Sequence, residues 1–185
     1  MLQVKNKTKK FIAVLLAVFC AIAICSFLLH GIFPKKHYDT VSKYTSMYNV
    51  DTDLVYALIK AESNFDENAV SSAGAKGLMQ LTDKTFCYFI DKTGSDATVH
   101  DIFDAELNIH AGVWYISLLL DKYDGNIETA VAAYNAGPSN VDAWLKSYDY
   151  SADGKTLDSI PFEETRKHVE TVIKYKKFYS GIYRG

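Results

Sequence analysis

The sequence predicts an all-α protein, a single helical domain behind one N-terminal transmembrane helix. Three observations carry that expectation. Apolar residues beyond position 37 recur at i, i+3 and i+4 in successive segments. No segment shows strand alternation bounded by hairpin turns. The stretch Phe11 to Leu29 is an apolar run of nineteen residues interrupted only by the weakly polar Ser26.

That run spans roughly 28 Å as a helix, about the hydrocarbon thickness of a bilayer. Lys5, Lys7, Lys9 and Lys10 precede it, and Lys35 and Lys36 follow. Four cations against two place the N-terminus in the cytoplasm and the remainder outside. The rival is a cleaved signal peptide, but the run exceeds the usual h-region and Ala21-Ile22-Ala23 lies inside it. A lipoprotein signal is excluded because Phe19 and Ile24, not small residues, precede Cys20 and Cys25. An uncleaved anchor is the expectation.

Pro34 ends the span, and a short linker follows through Tyr38. Leu54, Val55, Leu58 and Ile59 then mark a helix over residues 53–63, with Asp51 or Thr52 as its cap. Residues 83–92 form a second helix, stopped by Gly94. Residues 104–123 form a long third, with Leu107, Ala111, Tyr115, Leu118 and Leu119 as one stripe. An alanine-rich helix over 127–135 stops at Gly137-Pro138. A helix over 141–148 follows, then a polar loop at Ser151, Asp153 and Gly154, and a last helix over 163–179.

The net charge of -2 hides a split. Residues 1–36 hold six lysines and no acid, which leaves residues 37–185 with 14 basic against 22 acidic residues, a net of -8. So acidic a domain lacks the basic footprint of a nucleic-acid binder. The five histidines, at 30, 37, 100, 110 and 168, form no H-E-x-x-H pattern, and no glycine loop for phosphate occurs, so neither metal nor cofactor is expected. His110 and Trp114 share a helix face and read as packing. Cys87, alone outside the apolar run, reads as a small buried hydrophobe.

Glu62 is the informative residue. At about 100° per residue, Leu54, Leu58, Glu62 and Val55 fall at roughly 0°, 40°, 80° and 100°, with Asp53, Lys60 and Ser63 opposite. A carboxylate on that apolar arc is expensive unless it pairs or takes up a proton. A protonated carboxyl is what a general acid needs; the alternative is a glutamate at a frayed helix end, turned to water. Asp66 and Glu67 follow in a polar loop as solvated charges. The segment Ala69 to Gln80 is rich in small residues, with Gly74 and Gly77 permitting close backbone approach. Gln80 can donate to and accept from an amide or hydroxyl. Tyr134 and Asn135 add an aromatic face and an amide suited to N-acetylated sugars, or else pack and cap the helix end.

Five blocks now appear in order. They are Glu62-Ser63-x-Phe65 with Ala69-x-Ser71; Gly74-Ala75-x-Gly77-Leu78-Met79-Gln80; Asn108-Ile109 with Gly112 and Tyr115; Ala133-Tyr134-Asn135-Ala136-Gly137; and Ile160-Pro161 with Glu164-Thr165-Arg166 and Val169. Over residues 45–180 the chain resembles the soluble lytic transglycosylase family, glycoside hydrolase family 23. The resemblance implies a lysozyme-like α domain over residues 41–185, behind a basic N-terminus (1–10), an anchor (11–30) and a linker (31–40). It implies peptidoglycan glycan strands as substrate and Glu62 as the sole catalytic acid/base. Ser71 would help hold the N-acetyl group or the reacting hydroxyl, and Gln80, Tyr134 and Asn135 would line the cleft. One departure stands out: the family usually has a tyrosine near its catalytic glutamate where this chain has His168.

With one carboxylate, the family's reaction is intramolecular. Glu62 would protonate the leaving oxygen, then deprotonate the C6 hydroxyl of the same N-acetylmuramic acid, giving a 1,6-anhydro end. Two-carboxylate glycosidases activate water or form a covalent intermediate instead. Two alternatives remain: a goose-type lysozyme-like hydrolase, which requires a second poised carboxylate, and a non-catalytic glycan-binding component of a secretion or conjugation assembly.

Overall fold

A computed structural model describes the backbone of residues 2–183 and the side chains of residues 15–183. The lysines before Phe11, and the first four residues of the apolar run, lie outside the described side chains. The chain divides after Pro34 into two units. The first is one helix, α1 (Leu2–Ile32). Its stretch Leu15–Ile32 is long and apolar enough to cross a membrane. Leu16, Phe19, Ile22 and Phe27 are all exposed, so that stretch presents apolar side chains all round.

The second unit contains α2 (Tyr38–Met47), α3 (Thr52–Glu62), α4 (Asp83–Thr93), a 3₁₀ turn (Val99–Phe103), α5 (Ala105–Lys122), α6 (Ile127–Ala136), α7 (Pro138–Leu145) and α8 (Glu163–Tyr183). Among the described residues there is no strand; Val70–Lys76 and Lys76–Leu81 are isolated bridges. Local chemistry sets the helix starts. Asp51 caps α3 by accepting from the Asp53 N–H, Asp104 caps α5 through Leu107, and Asn126 caps α6 through Thr129. Gly94 ends α4 in the left-handed conformation at φ 66°.

α3 is the centre of the domain and packs most extensively on α8. Every residue from Asp53 to Ile59 is buried, and the Tyr56 ring stacks on Tyr179 of α8 at 5.4 Å. Burying Leu54, Leu58 and Ile59 contributes roughly 1.5–3 kcal/mol each. α5 lies against α2, α4 and α6. On α2, Tyr44 stacks on His110 at 3.9 Å and Tyr48 Oη lies 2.8 Å from His110 Nε2. On α4, Phe89 meets His110 and Trp114 edge-on. His110 and Trp114 therefore pack, as the sequence predicts.

Several boundaries and faces differ from expectation. α2 begins inside the predicted linker, and α7 starts at Pro138, three residues early, because proline suits the first helical turn. α8 runs four residues beyond Tyr179. Asp53, expected on the exposed arc of α3, is buried. Leu107, Tyr115 and Leu118 are only half-buried, whereas Ile109, Val113 and Ile116 are buried, because α5 has neighbours on three sides. Cys87 is exposed, since Phe86 and Phe89 take the inward face of α4.

Candidate active site

Glu62 is the last residue of α3, where the helix meets the start of α8. Its Oε1 lies 2.9 Å from His168 Nε2, and the two side chains are only 14% and 12% exposed, respectively. The costly carboxylate is thus paired, with an imidazole rather than the lysine or arginine that one turn of sequence lacks. The His168 Nδ1 is buried and has no hydrogen-bond partner among the described residues. A buried N–H without an acceptor costs more than a bare lone pair with no donor to meet. That asymmetry favours the ring proton on Nε2, donated to Glu62 Oε1, and leaves Oε2 free to carry a proton.

The chain after Glu62 is fixed by its own polar groups. Ser63 Oγ donates to the Leu78 carbonyl at 2.8 Å and accepts from the Phe65 N–H at 3.1 Å. Asn64 and Phe65 sit at φ 51° and 65°, a region that non-glycine residues occupy only when their surroundings impose it. Asp66 and Glu67 are exposed, as expected.

The turn Gly77 to Gln80 is pinned from three helices. Asn108 of α5 is buried; its Oδ1 accepts from the Met79 N–H at 2.8 Å, and its Nδ2 donates to the Lys76 and Ile102 carbonyls. Tyr134 of α6 donates from Oη to the Met79 carbonyl at 2.8 Å. Ser63, at the end of α3, holds Leu78. Both backbone groups of Met79 are thereby satisfied. Gly77 lies at φ 75°, and a Cβ there would run into the Asn108 amide, so the turn requires glycine. Gly112 likewise leaves room for Met79. Burial, and then the nearby Glu62 charge, hold the Tyr134 phenol well above its ordinary pKa and keep it a donor.

Beside Tyr134 opens a cleft of about 630 Å³. Gln80, Tyr134 and Asn135 line it together with Tyr88, Tyr115 and Lys84. Gln80 donates its amide to the Ala69 and Gly77 carbonyls, which leaves Oε1 as its unused acceptor. Asn135 Oδ1 accepts from Thr165 Oγ1 of α8 at 2.7 Å. Thr165 and His168, one turn apart on α8, therefore bind Asn135 and Glu62 respectively. None of the lining residues is an acid. Glu62 and His168 are not among them, although the Glu62 charge reaches Tyr134.

Ser71 is not gathered into this cleft. Its Oγ accepts from the Ala75 N–H at 3.0 Å, and the two residues also pair through Ser71 N–H to Ala75 O, closing the 71–75 turn. Sequence reasoning missed Tyr88 and Lys84. Both sit on the outward face of α4, which the apolar period marks as solvated, so no sequence signal singles them out. Asn108 was marked only as part of a motif block, and Tyr115 as part of a block and of an apolar stripe.

Comparisons with known proteins agree with this fold. The family described as Transglycosylase SLT domain matches residues 39–157. The soluble lytic murein transglycosylase of Escherichia coli strain K12 is 31% identical over 150 residues, covering 80% of this chain and 23% of that protein. The membrane-bound lytic murein transglycosylase C of Yersinia pestis strain Pestoides F is 33% identical over 117 residues, 57% of this chain and 32% of that protein. Among solved structures, an inactive glutamate-to-glutamine mutant of lytic transglycosylase Slt from Pseudomonas aeruginosa superposes with a TM-score of 0.71 at 32% identity, over 80% of this chain and 24% of that one. A 70-kDa soluble lytic transglycosylase in complex with bulgecin A gives 0.74 at 27% identity, over 83% and 25%. The chain spans about a quarter of the length of the soluble relatives it matches.

Proposed function

Because the chain belongs to the transglycosylase SLT domain family, we propose that residues 41–185 form a peptidoglycan lytic transglycosylase domain held at a membrane by α1. One observation carries the reading. A single carboxylate, Glu62, is paired with His168 at 2.9 Å beside a cleft whose lining contains no acid. Glu62 Oε2 protonates the glycosidic oxygen between N-acetylmuramic acid and N-acetylglucosamine, and the C1–O bond breaks. The C6 hydroxyl of the same muramic acid then forms the new bond to C1 and returns its proton to Glu62. The substrate's own N-acetyl carbonyl assists at C1 between the two steps. Attack within one sugar has a high effective molarity, so no second carboxylate is needed to activate water. Tyr134 and Asn135 bind the sugar beside the acid, and Gln80 Oε1 accepts from a hydroxyl or amide. Ser71 acts through the turn it closes, and His168 holds Glu62.

Digestion of purified peptidoglycan should release muropeptides ending in 1,6-anhydro-N-acetylmuramic acid, lighter by one water than hydrolysed ends. Reducing ends in the digest would replace this reading with the lysozyme-like one, which no feature of the cleft favours. The lysines before Phe11 support a single-pass orientation with the domain outside the cytoplasm. Protease added to intact cells or spheroplasts should digest that domain, and a protected domain would overturn the orientation.

A further inference from the structure

The cleft is also lined by residues that the reaction does not use. They are Lys84, Thr85 and Tyr88 of α4 and Gly137, Pro138 and Ser139 at the start of α7. Lys84 is the one charged residue in the lining, within residues 37–185, whose net charge is -8. It has no ion pair among the described residues, whereas Lys43, Lys76, Lys122 and Lys176 are each matched with an acid. No carboxylate within the cleft offsets it. Thr82 and Thr85 add hydroxyls on the same wall, and Tyr88, 45% exposed, adds an aromatic surface. The start of α7 contributes a partial positive charge of the same sign.

The substrate class supplies the complementary group. N-acetylmuramic acid carries a lactyl carboxyl, either free or amide-linked to a stem peptide with carboxylates of its own. We propose that this part of the cleft lining is a subsite in which Lys84 binds a carboxylate of the muramic substituent, so that Lys84 determines specificity for anionic strands. The inference rests on the peptidoglycan reading of the same cleft.

Affinity is measured with the full-length Glu62→Gln chain in detergent, which removes turnover from the readout. Three soluble glycan fragments are compared: peptide-bearing, peptide-free with the lactyl carboxylate intact, and peptide-bearing with every carboxyl converted to a neutral amide. Adding Lys84→Ala should weaken binding of the anionic fragments roughly two- to fivefold, the range for an exposed ion pair. It should leave the neutral fragment unchanged, and Lys84→Arg should restore affinity. A loss confined to peptide-bearing fragments assigns the stem, and a loss on the peptide-free fragment assigns the lactyl group. Equal losses on all three fragments, or none on any, would overturn the subsite. If no fragment binds at all, the subsite falls as well. If binding follows charge as expected but the wild type releases no anhydro ends, the subsite stands and the catalytic reading fails.

Discussion

The two sides of the cleft are built differently. On the side of the acid, Ser63, Asn108 and Tyr134 fix the 77–80 turn from three helices, and His168 fixes Glu62. The backbone of the turn and one oxygen of Glu62 are thus held from within the protein. On the other side, Lys84, Tyr88 and Ser139 are exposed. Proton transfer needs a carboxyl held to a fraction of an ångström, and a bonded wall supplies that. Gripping a long substituted strand tolerates adjustable side chains, which meet the ligand instead of each other. Substitutions on the acid's wall should therefore lower kcat, whereas those on the far wall should raise KM.

The sharpest break comes from Glu62→Gln. The amide has nearly the same shape and can still accept from His168, but it cannot relay a proton. Turnover should fall by at least ~10²–10⁴-fold, the usual worth of a general acid–base group, measured as anhydro-muropeptide release. In the proposed reaction one group serves both halves, so the loss extends to the upper end of that range. Thermal unfolding should be unchanged or slightly raised, because the half-buried charge is gone. An active Glu62→Gln enzyme would remove the basis for the assignment.

Asn108→Ala tests whether the wall itself matters. It strips the partner from the Met79 N–H and from the Lys76 and Ile102 carbonyls in a buried site. Unfolding by urea should show a loss of about 3 kcal/mol, and kcat should drop in the protein that remains folded. A stable variant with unchanged kcat would mean that the turn does not need its pin.

His168→Phe should cost roughly tenfold or more in kcat with little change in KM, as expected for losing a hydrogen bond to a charged group. His168→Tyr brings back a donor and should recover most of that loss. Equal activity in both variants would reduce His168 to packing.

Much of the fold was legible because caps, glycines and apolar spacing are local. Asp51, Asp104, Gly94 and Pro138 each mark a boundary within a few residues. Glu62 was found for a reason that only half holds. The helical wheel gave it an apolar arc, yet α3 is buried almost all round, Asp53 included. What distinguishes Glu62 is His168, 106 residues away, and no periodicity connects them. The far part of the lining was illegible for the same reason. Lys84 and Tyr88 lie on the polar face of an amphipathic helix, and only the fold brings that face to the same cleft as Gly137, Pro138 and Ser139. Cys87 was misread because an average over cysteines outweighed the Phe86 and Phe89 spacing beside it.

The smallest effect concerns the support behind the adjustable wall. His110 of α5 sits between Tyr44 of α2, Tyr48 just past its end and Phe89 of α4, with Trp114 a turn along. The charges facing it are Lys43 of α2 and Glu106 of α5, themselves 2.8 Å apart. Burial first, and the Lys43 charge next, lower the His110 pKa below its usual 6.5, while Glu106 opposes them. The unfolded chain then takes up this proton more readily than the folded one. Stability from His110 is therefore complete above about pH 6.5 and is lost as pH falls through that value toward the folded pKa. The urea midpoint should drop between about pH 7.5 and 5.5, and part of that drop should disappear in His110→Gln. Hydrogen exchange should show the extra opening in α2 and α4, where the imidazole packs, and not at the end of α3. Identical pH dependence in wild type and His110→Gln would show that His110 takes up its proton equally in the folded and the unfolded chain. Acid-induced opening at α3 instead would mean that the two walls do not differ in the way their hydrogen bonds indicate.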